Sequence, residues 1–147
     1  MSDAFTLLPR APSRVLSTSM SEHPGDMRIE RSDKRVRVEV EGVTVAESAA
    51  PWVLFESGLP PRYYVPKEDV RFELLEPSGT STHCPLKGDA MYWSVRTGED
   101  VRRDLVWAYP NPIPEAKEIA DSVAFYDEKV DVYVDDVLQE RPTTKFS

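Results

Sequence analysis

The chain has 147 residues, with 18 Lys plus Arg against 26 Asp plus Glu and a formal net charge of −8, which excludes a general nucleic-acid binder because phosphate backbones are held by neutralising cations. The longest basic cluster, Arg31, Lys34, Arg35 and Arg37, is interleaved with Glu30, Asp33 and Glu39 and reads as mixed solvated surface. A length near 150 residues favours one domain, and 6 Gly with 13 Pro favour turns and extended segments over long helices.

In chain order, residues 1–27 hold Pro9, Pro12 and Pro24 with few large apolar side chains, and they read as an extended N-terminal arm that buries too little to offset its ordering entropy. Docking of Phe5, Leu7 and Leu8 on the domain or on another subunit is the alternative. From Arg35 to Glu41 the pattern is strict alternation, which places Val36, Val38 and Val40 on one face of a half-buried strand. Gly42 permits a tight turn, and residues 43–46 return as its partner. Further strands are expected at 53–55, 71–75, 90–95, 105–109, 123–126 and 130–134. Helix is limited to a connector over residues 114–120, where Pro114 suits the first helical position, and a single turn at residues 67–69. The fold class is therefore mainly β, in antiparallel meanders with one or two very short helices.

One cysteine, Cys84, and two histidines, His23 and His83, make an internal disulfide impossible and fall short of the four ligands of a structural zinc site. The expectation is no metal and no cofactor. The chain has no window of 18 apolar residues and no cationic start leading into an apolar run, so a cytoplasmic protein with neither membrane span nor secretory signal is expected.

Several segments are not explained by periodicity: Leu59-Pro60-Pro61-Arg62-Tyr63-Tyr64-Val65-Pro66, Thr82-His83-Cys84-Pro85-Leu86-Lys87-Gly88, Ala90-Met91-Tyr92-Trp93, Trp107-Ala108-Tyr109, Val123-Ala124-Phe125-Tyr126 and the stretch from Lys129 to Asp135. In this order they resemble the DUF427 family over about residues 28–142, leaving a tail at 143–147. The resemblance implies a compact two-sheet β fold similar to the Mss4-like or β-tent architecture. It parts from the zinc-binding relatives of that architecture, which use two Cys pairs. Asp121 and Asp136 stand where the family pattern has Gly, so a left-handed turn at either place would ask Asp for a conformation that Gly adopts more readily. A nucleotidyltransferase label sometimes given to the family finds no Gly-rich phosphate loop and no Asp-x-Asp pair here.

Within the Thr-x-Cys-Pro-x-Lys-Gly segment, Lys87 folded back toward Cys84 would favour the reactive thiolate, making Cys84 and Lys87 the candidate catalytic pair. The competing reading is a small buried Cys84 beneath a turn, with Lys87 solvated or paired with a carboxylate. Thr82 shares the face of Cys84, and His83 points the other way. If the sheets enclose a pocket, Tyr64, Tyr92, Trp107, Tyr109 and Phe125 are its expected aromatic lining, in competition with plain core packing. Glu56 is a candidate partner for Lys87 or Arg62, and Asp69 a candidate turn cap. The leading functional reading is a protein that binds or transforms a small molecule around this turn. The alternative is a non-catalytic β module for protein interaction. The expected state is monomer or homodimer.

Overall fold

The computed structural model describes residues 27–144, and within them eleven strands form two antiparallel sheets. All of the expected arm except Met27, and most of the tail, lie outside the described residues. No helix among the described residues is long and apolar enough to cross a membrane.

The smaller sheet grows from the two alternating segments. Strands β2 (Val36–Val40) and β3 (Val43–Ser48) form the expected hairpin, and β10 (Asp131–Val134) pairs on the other side of β2, with β11 (Val137–Leu138) at the edge. Val38 lies opposite Val132, so the apolar faces of β2 and β10 coincide. Both hairpin turns use left-handed backbone: Glu41 and Gly42 in the first, Asp135 and Asp136 in the second. Asp136 thus takes the glycine-like conformation at φ 68°. Its carboxylate accepts from Arg37 at 2.9 Å, while Asp135 accepts from the Arg35 amide at 2.9 Å. Asp121 is not among the residues with positive φ, so its turn makes no such demand.

The larger sheet has seven strands in the order β1-β4-β5-β9-β8-β7-β6. These are β1 (Met27–Arg31), β4 (Trp52–Glu56), β5 (Arg62–Pro66), β6 (Leu75–Cys84), β7 (Gly88–Thr97), β8 (Asp100–Ala108) and β9 (Ser122–Phe125). The strand expected at 71–75 is instead a 3-10 turn, Phe72–Leu74, leading into β6. No side chain caps the 3-10 turn at Lys67–Asp69, where Asp69 was the expected cap. The Val70 amide closes it onto the Lys67 carbonyl at 3.1 Å.

The two faces of the large sheet have different partners. On one, Val65, Val95, Val106 and Phe125 pack against Val36, Val38 and Val45 of the small sheet. Each fully buried side chain of this kind contributes roughly 1.5–3 kcal/mol. An Arg71 amide bond to the Val45 carbonyl (2.8 Å) ties the small sheet to the segment after β5. On the other face, Leu54, Tyr64, Tyr92 and Trp107 are covered in part by Ala116 and Ile119 of the 3-10 segment Pro114–Ile119. That segment forms where the short helix was expected, with Pro114 in its first turn. The part of this face left uncovered bounds a cavity.

Candidate functional site

Strand alternation decides which side chains reach the uncovered face. In β5, Tyr64 packs on it, while Tyr63 between Arg62 and Tyr64 packs against the inter-sheet core. In β7 and β8, Tyr92 and Trp107 take this face while Trp93 and Val106 take the other. The result is a cavity of about 410 Å3 above the sheet. Glu56, Tyr64, Thr82, Cys84, Lys87, Tyr92, Trp107 and Tyr109 all line it.

Phe125, expected with them, does not. It is 1% exposed and belongs to the inter-sheet core. Its successor Tyr126 lines the cavity instead, because consecutive residues at the end of β9 face opposite ways. All four residues of β9 are buried, so apolarity alone could not tell its faces apart.

Lys87 is delivered by the turn after β6. The Lys87 amide bonds the Cys84 carbonyl at 3.1 Å, reversing the chain so that the Lys87 side chain falls back over the sheet. Lys87 is 7% exposed, and its Nζ lies 2.8 Å from Glu56 Oε1, which resolves the open choice of partner. Its ammonium also sits 5.9 Å from the centre of the Tyr109 ring. Cys84 borders the same cavity and is half-buried. Pairing of Lys87 with a carboxylate, the competing reading of this turn, is therefore seen, and the carboxylate is Glu56. His83 engages Asp89 at 2.7 Å on the exposed rim.

Gly88 makes this turn fit. Its φ is +120°, and a Cβ there would stand 3.3 Å from the Asn111 carbonyl oxygen and from Pro112 Cα. The neighbouring Ile113 amide bonds the Lys87 carbonyl at 3.0 Å. Gly88→Ala should therefore cost about 1–3 kcal/mol in a urea titration. A cost near zero would mean that the 111–113 segment yields freely.

The hydroxyls form short chains. Thr82 Oγ1 and Tyr92 OH are 2.9 Å apart, and Trp107 Nε1 donates to Tyr64 OH at 3.3 Å. Burial pushes the phenols of Tyr64 and Tyr109 well above their ordinary value, and pushes Tyr126 to about 12 with the Tyr92 hydroxyl as a further cause. All three are neutral hydrogen-bond donors near neutral pH.

Sequence reasoning missed the group that holds this wall in place. Arg62 Nη1 and Nη2 donate to Glu128 Oε1 and Oε2 at 3.0 and 3.1 Å, and Nη1 also reaches the Phe125 carbonyl at 3.1 Å. The guanidinium lies 5.2 Å from the Trp107 ring centre, and Trp107 stands 4.7 Å from Tyr126. Burial alone would raise the Glu128 carboxyl. The bonds from Arg62 and Thr144 overcome it and hold the group below its ordinary value. Asp127 is left 3.7 Å from Arg62, and burial pushes it up to about 7. The sequence carried a signal, Arg62 inside one motif and Asp127-Glu128 directly after another, but no period connects them.

A family model described as a domain of unknown function, DUF427, matches residues 28–136, a span that includes every residue lining the cavity. No curated protein matches the chain. With the family model covering most of its length, the chain belongs to the DUF427 family.

Proposed function

We propose that this domain binds a small ring-containing molecule in the cavity above the seven-stranded sheet, and that Lys87 and Cys84 are the groups that act on it. The observation that carries the reading is the Lys87–Glu56 ion pair, withdrawn from solvent inside an aromatic-lined cavity that also receives the chain's only thiol. As a device for stability such a pair is poor, because its desolvation cancels most of its attraction. Placed in a cavity, it offers a bound molecule a cation with donors to spare and a carboxylate acceptor, between aromatic faces suited to a ring. The neutral phenols of Tyr64 and Tyr109 add donors for a carbonyl or other acceptor oxygen. Cys84 supplies the nucleophile for an electrophilic ligand, and the Lys87–Glu56 pair supplies an adjacent proton donor and acceptor.

Cys84 makes the test clean, since it is the one cysteine in the chain. A compound that occupies the cavity should slow alkylation of Cys84 and raise the melting temperature together. At a concentration about 100 times Kd the stabilisation should reach about 2.7 kcal/mol. Lys87→Met should remove both effects. Compounds that stabilise the fold while leaving Cys84 alkylation unchanged would place their binding elsewhere and contradict the proposal.

A further inference from the structure

A second, smaller cavity of about 210 Å3 is lined from both sheets, by Tyr63 of β5 and Val132 of β10 among others. Its walls are Pro60, Pro61, Tyr63, Val130 and Val132, and the segment 139–142 closes it. We propose that this cavity binds a small organic ammonium ion, with Asp127 as the counter-ion and the Tyr63 ring as a cation–π wall.

Three observations converge on a cation. The first is Asp127, which lines the cavity with a side chain only 15% exposed. The Arg62–Asp127 separation of 3.7 Å is too long for a hydrogen bond. Arg62 cannot come closer without giving up its two-pronged grip on Glu128 and its bond to the Phe125 carbonyl. A desolvated carboxylate in this position gains from a donor arriving through the cavity. The second is the local field. Burial, Asp127 and Asp135 all push the Tyr63 phenol above its ordinary value, so the ring sits where two carboxylates act together. An ammonium over such a ring is attracted by both. The third is the rest of the wall. Glu140 adds a further carboxylate, and the one cation among the lining residues, Arg141, is engaged by Asp131 at 3.1 Å.

Apart from Gln139, whose amide nitrogen donates to the Val137 carbonyl at 2.8 Å, the remaining surface is proline, valine and tyrosine carbon, which suits an alkyl stem and offers little to an oxyanion. The volume lies below that of sites for drug-sized ligands. The ligand is therefore a short alkylammonium, which is the chemistry of a free amine and equally of a lysine side-chain end.

The experiment titrates the full chain at pH 8, where Asp127 is ionised, with n-butylammonium, tetramethylammonium, butanol and butyrate, followed by calorimetry or ligand-observed NMR. The ammonium probes should bind at least about tenfold more tightly than butanol or butyrate. Asp127→Asn should weaken n-butylammonium by at least about tenfold, Tyr63→Leu by several-fold, and the exposed-rim change Glu140→Gln more modestly. Should Asp127→Asn fail to fold, the Tyr63→Leu and Glu140→Gln losses carry the test. A further arm uses Nα-acetyl-lysine amide. Tighter binding than n-butylammonium assigns the natural source to a polypeptide, and weaker binding assigns it to a free amine. Butanol or butyrate binding as well as n-butylammonium, no saturable ammonium binding, or an affinity unchanged in every folded variant would overturn the proposal.

Discussion

Arg62→Met should destabilise the domain by about 3–5 kcal/mol, the cost of leaving a buried carboxylate without its partner. Glu128 is the reason. Its side chain is fully buried, and its two oxygens are held by the two terminal nitrogens of Arg62. The methionine would keep the aliphatic bulk against Trp107 but leave the Glu128 carboxylate without its counter-ion, held only by the Thr144 hydroxyl at 2.6 Å among side chains. Arg62→Lys should fare little better, because an ammonium cannot present two parallel donors and also reach the Phe125 carbonyl. The double variant Arg62→Met/Glu128→Gln should recover about half of the loss or more in urea titrations, since the unpaired charge is then gone. If the two single costs simply add in the double variant, the two residues do not act as a pair.

The second large effect is a stability maximum at mildly acid pH. Asp127 has its folded pKa raised to about 7 by burial, against 3.8 for the unfolded chain. Between those values the folded form holds a proton that the unfolded form has lost, so stability rises as pH falls from about 8 toward 4. At about 1.4 kcal/mol per pH unit, the full difference amounts to up to about 4 kcal/mol. Glu128 acts with the opposite sign. Its folded pKa lies below the ordinary 4.5, so its contribution is present above that value and is lost as pH falls through the folded pKa. Urea titrations across pH 3 to 8.5 should therefore peak at about pH 4. Asp127→Asn should flatten the limb above the peak and leave the acid limb in place. A stability profile that is flat from pH 5 to 8 in the unmodified protein would contradict the burial assigned to Asp127.

Much of this architecture is legible wherever one face of a strand is wet. Val36, Val38 and Val40 alternate with charges because β2 has one face on the core and one toward solvent, and period two is then unmistakable. Strand β5 gives no such pattern. Arg62 and Tyr64 to Pro66 are all buried, so the segment from Arg62 to Pro66 has no polar face to reveal its period. Strand β6 escapes for another reason. It is the last strand of its sheet, and its Pro77, Ser78 and Gly79 have the composition of a loop, which an edge tolerates. The site divides in the same way. The turn from Cys84 to Gly88 is local, so its chemistry can be read from one segment, and Glu56 can be weighed as a partner for Lys87. The Arg62–Glu128 pair joins residues 66 positions apart through the order of β5 and β9 in the sheet. The choice between Phe125 and Tyr126 depends on which way a wholly buried strand faces.

The central claim is that the Lys87–Glu56 cavity is a binding site for a small molecule. It is tested most directly by equilibrating a metabolite extract with the purified protein, removing unbound compounds, and identifying what is retained by mass spectrometry. Lys87→Met and Tyr109→Phe, each verified as folded by its unfolding transition, are treated in parallel. The account predicts at least one ring-containing compound retained by the unmodified protein and lost from both variants. Retention of the same compounds by all three proteins, or of none by any, would contradict it.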